Sequence, residues 1–353
     1  MTLFAPLEMR GVTLRNRIVV SPMCQYSSTD GFADDWHLVH LGQFATGGAS
    51  LVLTEAIAVT PDGRISPEDL GIYRDEHVEM LSRIARFVRA QGAEVGVQLA
   101  HAGRKASTRR PWSGRGVSPP SEGGWSPIYA PSAIPFASDW QVPQEMSERD
   151  IADVQRAFAK GAERALAAGM TVIELHSAHG YLLHEFLSPL SNTRTDRYGG
   201  DFTGRTRMLL ETIDAVRAVW PEQYPLFVRL SATDWTEGGW TPEDTVQLAK
   251  LLPAHGVDLV DCSTGGNVAR AQIPVGPGYQ VPFAARVKRE AGIRSGAVGM
   301  ITEPAQADAI IRNGEADVVL LARELLRDPH FALRAARELG VDGPWPRQYE
   351  RAR

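Results

Sequence analysis

The residues with the most chemical content stand in one run, Glu174-Leu175-His176-Ser177-Ala178-His179-Gly180-Tyr181-Leu182-Leu183-His184. Imidazoles at i and i+3, with a phenol two positions further on, put three polar tips together if this run leaves a strand and turns. Three readings are open. The side chains could serve only as caps and loop hydrogen bonds. His176, His179 and His184 could hold a metal, but such a site wants further ligands, and no carboxylate is obvious at the ends of the neighbouring strand candidates. The third reading makes His176 and His179 N–H donors to a carbonyl oxygen, with Tyr181 as an acid.

Other strand ends add to the inventory. Ser21-Pro22-Met23-Cys24-Gln25-Tyr26, Gln98-Leu99-Ala100-His101 and Arg229-Leu230-Ser231 each close an apolar run. Gly265-Gly266, Gly299 and Ala322-Arg323 follow three later runs. Glycine allows close backbone approach and arginine a bidentate charge, the ingredients of a phosphate site. A lone Cys24 or Cys262 is more often a small buried hydrophobe than a reactive thiol.

These residues need a scaffold that gathers strand ends. Eight short apolar runs read as strands: Arg17–Met23, Ala49–Val59, Glu94–Ala100, Met170–Leu175, Leu226–Ser231, Asp258–Cys262, Gly296–Met300 and Asp317–Ala322. Their near-continuous hydrophobicity suits parallel strands covered on both faces. Between them, Val78, Leu81, Ile84, Ala85 and Val88 keep helical spacing, as do Ile151, Val154, Phe158, Ala162 and Ala165. Ser147 with Asp150 reads as a capping box, Gly169 as a helix stop, and Thr241-Pro242 and Thr302-Glu303-Pro304 as helix starts.

Strand and helix alternating eight times predict an α/β fold, a (β/α)8 TIM barrel in a single domain spanning 1–353. An open doubly wound sheet is disfavoured, because no Gly-x-Gly-x-x-Gly turn follows the first strand. Two connections are too long to be plain turns: 103–147, lid-like and rich in Pro, Ser and Trp, and 181–203. Both follow a strand's C-terminal end, where barrels carry their active sites. The tail, 344–353, holds two prolines and is expected to run extended.

Composition removes several classes of function. The 353 residues carry 37 Lys+Arg against 42 Asp+Glu, a net charge of −5. An acidic chain is a poor binder of nucleic acid or anionic membrane, and the cluster Arg104-Lys105 to Arg109-Arg110 is broken by small residues. No apolar run reaches the roughly 18 residues of a membrane span. Two cysteines exclude a four-thiolate cluster, and with no signal-like segment over Met1–Arg17 a reducing cytoplasm is expected.

Taken together, the motifs resemble the old yellow enzyme family of flavin-dependent ene-reductases, in its thermophilic-like branch. The resemblance covers essentially the whole chain. It rests on Ser21 to Ser27, Asp35-Trp36-His37-Leu38-Val39-His40-Leu41-Gly42, Thr54-Glu55-Ala56 and Gln98 to Arg104. Further carriers are His176 to Pro189, Asn192 to Gly200 and Gln348-Tyr349-Glu350-Arg351. Cys24 and the His-x-x-His pair mark the branch. Tyr73 stands where Trp is expected, and 104–147 is the least similar stretch.

The resemblance implies a tightly bound, non-covalent FMN and NADPH (or NADH) as donor, with hydride passing through flavin N5 in a ping-pong cycle. The acceptors implied are activated alkenes: enones, enals, maleimides and nitroalkenes. Ser21, Pro22, Met23 and Cys24 would line the ring. Ala56 and Gln98 would bond its pyrimidine side, Arg229 would stand near N1, and Gly299, Ala322 and Arg323 would hold the phosphate. His176, His179 and Tyr26 would bind substrate, and Tyr181 would protonate it. The tail would cross a two-fold interface in a dimer, or in a tetramer of paired dimers, so that Arg351 enters the neighbouring site.

Overall fold

The computed structural model describes residues 1–353. The chain opens with an antiparallel hairpin, β1 (Leu7–Met9) and β2 (Val12–Leu14). Strands β3 (Ile18–Val20), β4 (Leu51–Ala58) and β5 (Glu94–Ala100) follow. Two-residue strands β6 (Tyr129–Ala130) and β7 (Gln144–Glu145) pair within the first long excursion. Then come β8 (Val172–Ser177), β9 (Leu226–Ser231), β10 (Leu259–Ser263), β11 (Arg294–Ala297) and β12 (Val318–Leu321). Strands β3, β4, β5, β8, β9, β10, β11 and β12 pair in that order, all parallel, and β12 closes on β3. This is the (β/α)8 barrel, built from the eight runs the sequence marks.

Ten helices connect or flank the strands: α1 (Asp35–Thr46), α2 (Val78–Ala90), α3 (Glu148–Ala167), α4 (Leu182–Leu187) and α5 (Phe202–Arg217). The rest are α6 (Pro242–Leu251), α7 (Val281–Ala291), α8 (Pro304–Arg312), α9 (Arg323–Arg327) and α10 (Phe331–Glu338). Ser147 and Asp150 close the predicted capping box on α3, and Thr241 and Asp244 close one on α6. Each such cap is worth about 1 kcal/mol. On α8 the expectation is half met. Pro304 is in the first turn, but the N-cap Glu303 makes no side-chain cap, and the Thr302 N–H donates to Gln306 instead. No helix is long and apolar enough to cross a membrane.

The barrel interior is layered, and the layering positions the chemistry. At the bottom, Leu7, Met9, Val12 and Leu14 of the hairpin plug the barrel against Val19, Leu51, Leu53, Val172, Phe227, Leu259 and Leu320. Three-residue strands carry too little pattern to be read from sequence, so this plug is not anticipated. Above it lie Gln98, Glu174, Arg229 and Asp261, all buried. Ser21, His176 and Ser263 follow at the upper strand ends. The strand expected at Gly296–Met300 lies two residues earlier, because Gly299 at φ +115° turns the chain out of the sheet.

The tail departs from expectation. It has no regular structure over 342–346 and then winds into a 3₁₀ helix, Arg347–Ala352, rather than staying extended. Both prolines precede that turn, and Pro346 caps it, so nothing in it lacks a needed N–H.

Candidate active site

The segment after β3 is pinned from below. Glu55 on β4 accepts the Gln25 N–H at 3.2 Å, and His37 in the first turn of α1 reaches Glu55 at 3.5 Å. Ser21 accepts from Arg229 at 3.0 Å. Pro22, Met23, Cys24 and Tyr26 are therefore held half-buried along one side of the mouth. Burial, aided by Asp69 and Glu55, pushes the Cys24 thiol well up. That favours the thiol over the reactive thiolate. Tyr26 is met edge-on by Trp112 at 5.6 Å between ring centres, although Trp112 is 65% exposed.

The polar layer beneath holds two linked pairs and leaves Glu174 Oε2 without a hydrogen-bond partner. Gln98 donates to Glu174 at 2.8 Å, and Arg229 pairs with Asp261 at 3.0 Å. Burial first, then the neighbouring Asp261 charge, pushes the Glu174 carboxyl up to about 8, while Arg229 opposes the rise. Glu174 is thus held toward its protonated form beside the Arg229–Asp261 pair. Ala56 sits at a break in register between β4 and β5 and pairs with Gln98.

His176, His179 and Tyr181 do come together. Ring centres of His176 lie 5.1 Å from His179 and 5.0 Å from Tyr181. A left-handed turn achieves this: His179 has φ +61° and Gly180 φ +72°. A Cβ on Gly180 would stand 2.4 Å from the Gly266 carbonyl, so only glycine lets the turn press against that loop. Ser231 on β9 ties it down, accepting from the His179 N–H at 2.9 Å. Burial, followed by the Arg229 charge, holds both imidazoles well below their usual range, so they are neutral. Burial raises the Tyr181 phenol well above its usual range and keeps its proton on.

The two imidazoles are not equivalent. His176 Nδ1 is buried without a partner, whereas His179 Nε2 meets Ser263 Oγ at 2.7 Å. His184 corrects the metal reading. Its Nδ1 accepts from the Gly180 N–H at 2.9 Å and its Nε2 lies 3.0 Å from Asp234. It is a buttress under the turn, and no group of three ligating side chains could hold a metal ion.

Between the ends of β11 and β12 opens a cavity of about 510 Å³ whose lining includes Tyr279, Gln280, Gly299, Ala322 and Arg323. Glu324 is engaged by Arg327 and Arg334, which leaves Arg323 without an ion pair. A recess of about 470 Å³ at the other end of the barrel, among Arg10, Asp214 and His255, holds charges already paired. Arg351 is exposed on the tail and joins none of these groups within its own chain. Arg104 and Lys105 turn inward. Arg104 donates to Asn267 at 2.8 Å, so the basic cluster is not an outward patch.

Comparison with known proteins follows this geometry. Residues 2–341 match the NADH:flavin oxidoreductase / NADH oxidase family. An NADPH dehydrogenase of Geobacillus sp. (strain WCH70) is 50% identical over 351 residues, 99% of this chain and 98% of that protein. One of Bacillus subtilis (strain 168) is 48% identical over 351 residues, with the same shares. Morphinone reductase in complex with tetrahydroNAD superposes with a TM-score of 0.80 at 23% identity, covering 98% of this chain and 93% of that one. A 2-naphthoyl-CoA reductase superposes with a TM-score of 0.86 at 24% identity over 96% of this chain; the chain spans 52% of that longer protein. At such identities the two structures speak for the fold.

Proposed function

Because the chain belongs to the NADH:flavin oxidoreductase / NADH oxidase (old yellow enzyme) family, we propose that it is an FMN-dependent NADPH dehydrogenase reducing activated C=C bonds. The observation that carries this reading is the mouth where neutral His176, with a free Nδ1, faces a Tyr181 whose phenol burial keeps protonated at rest. Bound FMN would take hydride from the nicotinamide and deliver it to the alkene.

The residues present fit that cofactor. Arg323 is a cation without a partner, in a cavity whose Gly299 has a φ of +115° and leaves a Cβ only 2.8 Å from the Gln280 side-chain Nε2, which would have to shift. Gly299, Ala322 and Arg323 would hold the phosphate. Ser21, Pro22, Met23 and Cys24 would line the ring, with Ala56, Gln98 and Arg229 at its polar edge. Gln98 is oriented for this by its bond to Glu174.

The acceptor's carbonyl or nitro oxygen would be bound by His176, and by His179 once its hydrogen bond to Ser263 is exchanged. Such donors lower the energy of negative charge growing on that oxygen. Tyr181 would then protonate Cα, and Tyr26 would close one side of the substrate. Purified protein should be yellow and should oxidise NADPH with 2-cyclohexenone, giving the saturated ketone by chromatography. A colourless protein that binds no FMN would sink the reading.

The same reading extends to a second copy of the chain. Nothing in Arg347–Ala352 is buried, Tyr349 is 41% exposed, and Trp36, Val39 and Phe87 leave apolar surface open on α1 and α2. A two-fold partner would cover such surface and receive Arg351 beside its substrate. Truncation after Gln348 should weaken the dimer or raise KM for the enone while FMN stays bound. Unchanged mass by light scattering together with unchanged enone kinetics would make Arg351 a plain tail residue.

A further inference from the structure

Lys105, at the start of the excursion after β5, lies beside the mouth. Its ammonium donates to the His179 carbonyl at 2.8 Å and to the Gly266 carbonyl at 3.0 Å. It sits 5.0 Å from the ring centre of Tyr181 and 4.5 Å from that of Phe136. The two carbonyls belong to the loops that press together at Gly180 and Gly266, so Lys105 staples the turn bearing His179 and Tyr181 to the loop after β10.

No carboxylate pairs with this ammonium. The nearest acid, Glu185 on α4, accepts the Arg104 N–H; burial pushes its carboxyl up to about 8 against the opposing pull of Arg104 and Lys105, and it makes no ion pair with Lys105. The other charged or titratable groups around Lys105 are Arg104, held by Asn267, and His176, His179 and Tyr181, all neutral in the resting site. Asp234 faces Arg104 and is taken up by His184. A cation left partly buried without a counter-ion is costly. A phenolate on Tyr181 would be an anion within its reach that arises only during the reaction.

We propose that Lys105 is a positioning residue for proton transfer, holding the turn that carries Tyr181 and stabilising the charge left on Tyr181 when its phenol gives up its proton. This rests on the assignment of Tyr181 as the donor to Cα. Hydride adds to Cβ with both its electrons, the C=C π pair shifts to join Cα to the carbonyl carbon, and the C=O π pair moves onto the oxygen. The Tyr181 O–H bond then breaks, its proton forms the new Cα–H bond with the returning pair, and C=O is restored. The phenolate regains a proton from water, while Lys105 keeps its own throughout.

The test uses holoenzyme reduced with NADPH and reoxidised by 2-cyclohexenone in a stopped-flow instrument. Each rate is divided by that variant's rate with molecular oxygen, which needs no C–H protonation. Lys105→Met should lower this ratio roughly tenfold to a hundredfold, since charge near a poorly solvated acid is felt strongly. Lys105→Arg should restore most of it. Lys105→Met should cost clearly less in a Tyr181→Phe background than in the wild type.

Burial lowers the Lys105 ammonium to about 8, so the wild-type ratio should fall as pH rises through that value, and Lys105→Met should lack this limb. A binding readout runs alongside. p-Cyanophenol held in the mouth should ionise about one pH unit higher in Lys105→Met than in wild type, read from phenolate absorbance. An unchanged ratio, or Lys105→Arg as slow as Lys105→Met with no alkaline limb in the wild type, overturns the assignment. Tyr181→Phe at the full wild-type rate overturns the donor reading beneath it, and this inference falls with it.

Discussion

Replacing both His176 and His179 by alanine leaves a protein that keeps its yellow cofactor and its reaction with NADPH but largely loses enone reduction. Neither side chain lines the cavity of Gly299 and Arg323, although His179 meets Ser263 at its edge, so the phosphate grip of Gly299 and Arg323 should not depend on them. Removing one preorganised donor to a developing oxyanion costs on the order of 10²–10³ in rate. The singles should be unequal. His176 offers a buried Nδ1 that no protein group satisfies, while His179 Nε2 already meets Ser263. His176→Ala should therefore account for most of the loss, and His179→Ala for about tenfold or less. Both imidazoles are held neutral by burial, so the wild-type rate should show no limb near the usual histidine range. Unaltered turnover of the enone in the double variant, measured as substrate loss by chromatography, would remove both residues from the mechanism.

What the sequence makes legible here follows from which interactions have a period. Strands such as Leu226–Ser231 are short apolar runs because both their faces are covered, and that signal survives without any alignment. The caps at Ser147 and Thr241 are local chemistry, satisfied within four residues, and so can be read in place. The plug hairpin Leu7–Leu14 cannot be read this way, because three-residue strands draw their stability from the barrel floor they seal.

The same division runs through the site. His176, His179 and Tyr181 sit within six residues of one another, and their spacing announces a shared function. His184 stands in the same run yet faces Asp234, since a helical turn from Leu182 carries it away from the mouth. Glu174 on β8 and Asp261 on β10 influence each other only past the intervening β9, so sequence distance conceals that Asp261 helps to raise the Glu174 carboxyl. Lys105 is the instructive miss. Lys105 follows the end of β5 by five residues, but in sequence it is one of a broken run of cations with Arg104, Arg109 and Arg110, and nothing there singles it out. Only the fold separates Lys105 from Arg109, which is turned outward onto Glu122.

Gly299→Val should give a folded but colourless protein, and Arg323→Ala one that binds FMN weakly. At Gly299 two effects act in the same direction. Its φ of +115° lies where a β-branched residue is strained by about 1–3 kcal/mol. A Cβ there would also meet Gln280 at 2.8 Å and Tyr279 at 3.0 Å, filling the space between the ends of β11 and β12. Arg323 contributes charge rather than room. A charge-assisted hydrogen bond to phosphate is worth about 1.5–3 kcal/mol, so its loss should raise the Kd for FMN roughly tenfold to a hundredfold. Neither side chain belongs to the 66-residue core cluster, so circular dichroism should stay native in both variants. Quenching of free FMN fluorescence on titration with apoprotein reads the affinity directly. Stoichiometric FMN on Gly299→Val, or a wild-type Kd for Arg323→Ala, would move the phosphate elsewhere on the barrel rim.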